Sequence, residues 1–322
     1  MPLVDLLPIV GALSAPAFLI IFALAALGAP LLALLCLLTS ALRSALHSEA
    51  YARRLLRMAL TCAVPSLLIA LASATLAGYR TAWLVDWMRA APLPPALLVV
   101  AALAFCALLV ALRTSHQTHR HGKQSNPLGP TLILSMLGAA LLWLSLALCT
   151  ALQEQGRAVL HAPMDAGLSV VPLIIPDVTT MPKLGFSLAG AMVIGCVAAG
   201  VVSLEYLLLR RDSEPFGRDA LANVLRLGAR CTLRCALLAG GILATLWLRL
   251  PDMPAAPGGP IAPKLLLGVC AAACALVFLF SLLVARSARP WDRALTIHAN
   301  LLALWLGLSA LLSLGLLNFY AG

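Results

Sequence analysis

Apolar residues in this chain neither alternate nor recur in narrow stripes; they run almost unbroken for about twenty residues at a time. Eight such runs stand out, at about 16–42, 55–78, 94–112, 129–152, 184–209, 224–249, 262–285 and 294–319. At about 1.5 Å per residue, each crosses a hydrocarbon core of roughly 30 Å. A run that is apolar on every face has no side suited to water. In lipid a helix satisfies all its backbone hydrogen bonds internally. The pattern therefore predicts an all-α membrane protein with eight transmembrane helices.

The polar segments between the runs sort by charge. The segments at 43–54, 113–128, 210–223 and 286–293, with their adjoining helix ends, hold 16 of the 22 lysines and arginines. The opposite side holds only Arg80, Arg89, Arg157, Lys183, Arg249 and Lys264. Basic residues concentrate on the cytoplasmic side of a membrane. The basic segments are accordingly read as cytoplasmic and both termini as outside, which for a bacterial inner-membrane protein means the periplasm. The other side carries Tyr79, Trp83, Trp87, Trp247, Phe319 and Tyr320, suited to an interfacial belt, and proline-rich turns at 91–95 and 250–263. The start, MPLVDLLPIVGALSAP, lacks the basic region of a cleavable signal, so the first helix is read as retained.

Composition agrees with the pattern. The chain of 322 residues is 62% hydrophobic and 11% charged, against about 45–50% and 25% for a soluble domain. A net charge of +10 would suggest nucleic acid in a soluble protein. Here the charges lie in short loops with no basic–aromatic interleaving, which makes the lipid bilayer the partner and excludes nucleic acid.

The two halves resemble one another at an offset of about 169 residues: RMALTCAVPSLLIALASATLAG with RLGARCTLRCALLAGGILATLW, PPALLVVAALAFCALLVAL with APKLLLGVCAAACALVFLF, and LGAALLWLSLAL with LGLSALLSLGLL. The repeat predicts two tandem four-helix bundles in parallel orientation, residues 1–152 and 184–322, joined by an outer loop at 153–183.

One carboxylate interrupts the fifth run. Glu205 lies about five residues before its basic end, Arg230 and Arg234 within two turns of the same end of the sixth run, and His298 about one turn into the eighth. The helical rise puts all four at comparable depth. An acid inside an apolar run is a functional-site candidate by default. One reading is a pocket for a quinone head or lipid phosphate, or a proton relay. The other, simpler one is a buried ion pair that fixes packing while the arginines snorkel.

The remaining chemistry is thin. His116, His119 and His121 have metal-like spacing but sit in a basic loop without an acid or cysteine. The nine cysteines all fall within runs and read as small apolar fillers. Of the two C-x3-C pairs, Cys231/Cys235 and Cys270/Cys274, only Cys235 and Cys274 come to one level, so no metal site is expected. Only His298 lies within a run, so no intrinsic haem is expected either. No nucleotide-binding, zinc-hydrolase or nucleophile-elbow motif occurs.

The stretch KLGFSLAGAMVIGCVAAGVVSLEYLLLRRDSEPFGRDALANVLR, with Arg211, Asp212 and Phe216 in its basic turn, and the loop HSEAYARRLLR resemble subunit I of the cytochrome bd quinol oxidases. The resemblance covers the chain as a helical pattern, without that family's ninth helix. It departs from the family where haem would be held. The outer end of the first run reads Ser14, Ala15, Pro16, the outer end of the fifth reads Lys183, Leu184, Gly185, Phe186, and residues 262–285 contain no methionine. The resemblance implies a membrane subunit of a respiratory electron-transfer complex without haem ligands. Such a subunit would not be catalytic alone; it would serve as anchor or quinone contact and dock other subunits, including periplasmic cytochromes. No intrinsic cofactor is implied, and quinone is the candidate ligand. The alternative is a small-solute or ion transporter, or a lipid-handling protein, built on the Glu205–Arg234 cluster.

Overall fold

A computed structural model describes residues 3–43, 46–80, 99–100, 102–111, 113, 132–141, 144, 181–210, 217–249 and 261–321. The histidine loop, residues 153–180, the proline-rich turns at 91–95 and 250–260, and Arg211, Asp212 and Phe216 lie outside them. The described chain is almost entirely helical, with no strand among the described residues. In order, the helices are α1 (Leu3–Arg43), α2 (Leu46–Arg80), α3 (Ala102–Ala111), α4 (Leu132–Leu141), α5 (Met181–Leu209), α6 (Gly217–Arg249), α7 (Ile261–Arg286) and α8 (Ala294–Ala321), with a 3₁₀ turn at Pro290–Arg293 before α8.

Five stretches are long and apolar enough to cross a membrane by length and composition: Pro16–Thr39, Ala189–Leu209, Asp219–Leu248, Lys264–Arg286 and Pro290–Leu314. Leucine and alanine dominate them, and both are strong helix formers. Their hydroxyls bond back into their own helices. Ser309 donates to the Trp305 carbonyl at 2.9 Å, Ser313 to that of Ser309 at 2.8 Å, and Thr232 to that of Gly228 at 2.9 Å. A hydroxyl satisfied this way can sit at membrane depth without a partner helix.

By contacts the chain divides into two units, residues 1–66 with 192–322, and residues 67–191. In the larger unit α7 packs against both α6 and α8, and α1 against α8. The Trp305 indole of α8 donates to the Ser14 carbonyl of α1 at 2.7 Å. The tandem division into 1–152 and 184–322 follows a sequence repeat; the division by contacts groups α1 with the C-terminal helices.

Small residues set the closest approaches. A Cβ at Gly28 of α1 would fall on the Gly195 carbonyl of α5, and one at Gly200 of α5 on the Thr232 hydroxyl of α6. A Cβ at Gly307 of α8 would stand 2.9 Å from the Cβ of Ala273 in α7. Close backbone approach through small residues is how helices gain dispersion contact in lipid, where burial of apolar surface supplies little drive. In the smaller unit, Gly138 of α4 takes Leu108 of α3 against it in the same way.

Candidate functional site

Glu205 stands on α5 one turn before its end at Leu209, on the face turned into the larger unit, and only 8% of it is exposed. His298 stands in the second turn of α8. The two helices bring the side chains together: His298 Nδ1 donates to Glu205 Oε1 at 2.9 Å. The pair is asymmetric, with 54% of the imidazole exposed against 11% of the carboxylate side chain. A buried carboxylate is costly without a partner, and the imidazole supplies one while keeping its far edge open.

Arg230 and Arg234 do not join them. Among the described residues neither makes an ion pair, and both are exposed. The reason is azimuth. The buried face of α6 carries Gly228, packed on the Tyr51 hydroxyl, and Thr232, packed on Gly200. Each arginine follows two residues later, about 200° around the helix, and so points away from α5. A third arginine, Arg226, ties the helix ends together. It donates to the carbonyls of Ser287, at 2.9 Å, and Ala288, just beyond α7, and to Asn223 Oδ1 at 3.1 Å. Arg210, at the end of α5, lies over the Tyr206 ring at 4.7 Å.

Two buried polar contacts flank the pair. Two residues before Glu205, Ser203 meets the Tyr51 hydroxyl at 2.7 Å and donates to the Gly200 carbonyl at 2.7 Å. Two residues after His298, Asn300 is fully buried and donates through Nδ2 to Ser281 of α7 at 3.0 Å. Its Oδ1 has no partner among the described residues. An amide within an apolar run is the signal the sequence offers for Asn300; Tyr51 and the serines carry no such signal. Beyond Asn300, an apolar cavity of about 90 Å³ lies between α5, α6, α7 and α8, lined by residues including Val197, Leu243, Cys270, Val277, Leu304 and Leu308.

The C-x3-C cysteines serve packing in part. Cys270 donates to the Gly307 carbonyl at 3.4 Å and Cys274 to the Ala236 carbonyl at 3.2 Å. Cys274 thus lies beside the residue next to Cys235. Among the described residues no three or more histidines, cysteines or acids are grouped to hold a metal. No family model, no curated protein and no solved structure matches this chain.

Proposed function

We propose that this chain is an integral membrane subunit of a respiratory electron-transfer complex, resembling subunit I of the cytochrome bd quinol oxidases without its haem ligands. It anchors redox partners and offers a quinone the Glu205–His298 pair. The observation that carries this reading is the 2.9 Å contact between a buried carboxylate and a half-exposed imidazole. Quinone reduction and quinol oxidation move protons together with electrons. A carboxylate–imidazole pair can hand a proton to or take one from a bound head group, and the open edge of His298 leaves a head group room to approach.

The reading places the chain in a bacterial inner membrane with both termini periplasmic. It keeps eight crossings in two tandem four-helix units, 1–152 and 184–322. The crossing of α1 and α5 supports the repeat. Gly28 meets Gly195, and the Gly28 carbonyl takes the Cys196 thiol at 3.9 Å. These offsets of 167 and 168 residues nearly equal the sequence repeat, as when two equivalent helices cross about a pseudo-two-fold axis.

Extraction from native membranes tests the proposal. The chain should copurify with haem- or iron–sulfur-bearing subunits, and Glu205→Gln should leave assembly intact while quinol turnover falls at least tenfold. A chain that purifies alone, or a variant that loses assembly and turnover together, overturns it. The wholly apolar cavity favours a second reading, a lipid-handling protein; a stoichiometric lipid retained by the isolated chain would support that one.

A further inference from the structure

Arg230 and Arg234 stand one turn apart on α6, and both are exposed. Arg234 lies at the middle of the apolar stretch Asp219–Leu248. An arginine near a helix end snorkels to the head groups; one at the middle of a span does not have them within reach. Facing lipid there, a guanidinium is among the costliest groups a membrane helix can carry. The same stripe continues at helical spacing through Leu237, Gly241, Thr245 and Leu248, all exposed. A Cβ at Gly241 would meet nothing within 4 Å, so a neighbouring backbone has room to come close. Of the five long apolar stretches among the described residues, this one is the least covered, with 17% buried against 33–67% in the others.

A face that holds two cations at membrane depth needs a counter-charge at the same depth. The chain has none to spare: Glu205 is the single acid in its eight apolar runs, and it is bonded to His298. A second copy docked on this face about a two-fold axis would present the same two cations and no acid. Lipid phosphates lie at the bilayer surface, away from Arg234. We propose that the Arg230–Arg234 face of α6 docks a transmembrane helix of a different subunit, one that carries a carboxylate at the level of Arg234 and a small residue opposite Gly241. Charge-assisted N–H···O bonds from the guanidiniums fix its register, and the small residue lets the two backbones approach. This interface goes beyond the quinone reading and asks nothing of the Glu205–His298 pair.

The test uses the full chain in native membranes. A photoreactive benzoylphenylalanine replaces Leu237 or Leu248 on this face, or, as controls, Leu276 of α7 or Leu302 of α8; all of these leucines are exposed. After irradiation the adducts are located by peptide mass spectrometry. Probes at Leu237 and Leu248 should join one foreign chain, within an apolar segment that contains aspartate or glutamate, and the control probes should not reach that segment. With the probe at Leu248, Arg234→Leu should lower the adduct at least tenfold and Arg234→Lys should keep it. Replacing the partner's carboxylate with lysine should lower it likewise, and adding Arg234→Asp should restore it. The proposal fails if the α6 probes join only lipid, this chain or a second copy of it, if the segment they join lacks an acid, if the controls reach the same segment, or if Arg234→Leu leaves the adduct unchanged. The adducts formed with both arginines in place decide the partner and its chemistry, so an Arg234 variant that folds poorly does not decide the matter.

Discussion

Replacing Gly28 with alanine adds one methyl group at the tightest point between α1 and α5. That methyl would land on the Gly195 carbonyl and the backbone nitrogen of Cys196, not on the end of a flexible side chain. Backbone cannot rotate aside, so the helices must separate by more than an ångström. The move also disturbs Gly195, where a Cβ would stand 3.2 Å from the Leu24 carbonyl, and the Cys196–Gly28 contact. Over-packing by a methylene or two costs about 1–3 kcal/mol. A crossing with backbone on both sides belongs at the upper end, about 3 kcal/mol. Gly240 and Gly241 of α6 supply the control, because a Cβ at either meets nothing within 4 Å. There alanine gains helix propensity, about 0.5–1 kcal/mol. Thermal unfolding of purified protein in detergent, followed by cysteine accessibility, should show Gly28→Ala melting well below wild type. Gly240→Ala should melt at or above wild type. Equal tolerance of both substitutions would refute the packing argument.

Other outcomes follow from single contacts. Arg226→Ala removes the donors to the Ser287 and Ala288 carbonyls; a loss of about 1–2 kcal/mol is expected in the same melt, with faster hydrogen exchange confined to the turn before α8. Asn300→Leu combined with Ser281→Ala replaces a half-satisfied buried pair with apolar groups and should be neutral or stabilising, whereas Ser281→Ala alone should cost about 1–3 kcal/mol by leaving the Asn300 amide unpaired. Burial pushes the Tyr51 phenol well above its usual value near 10, so the folded state favours the protonated form. That contribution is fully present below pH 10 and is lost as pH rises beyond it. Tyr51→Phe should therefore reduce the steepness of alkaline unfolding, and an unchanged alkaline limb would contradict the assignment.

Depth was legible in the sequence and azimuth was not. Counting residues from the basic ends put Glu205 and His298 at one level, and the fold brings them into contact. The same count put Arg230 and Arg234 there too, but it says nothing about which way a side chain points. The packing of Gly228 and Thr232 settles that, and it turns both arginines outward. Helix content was the plainest feature, since long unbroken apolar runs leave the backbone few other choices in lipid.

The central claim is that the carboxylate on α5 and the imidazole on α8 meet a quinone. Photoaffinity labelling tests it most directly: an azido-quinone is irradiated with the intact complex in native membranes, and the adducts are located by peptide mass spectrometry. The account predicts adducts within about a turn of Glu205 or His298, suppressed by excess unlabelled quinone and by Glu205→Gln. Labelling confined to other helices, or indifferent to excess quinone, would contradict it.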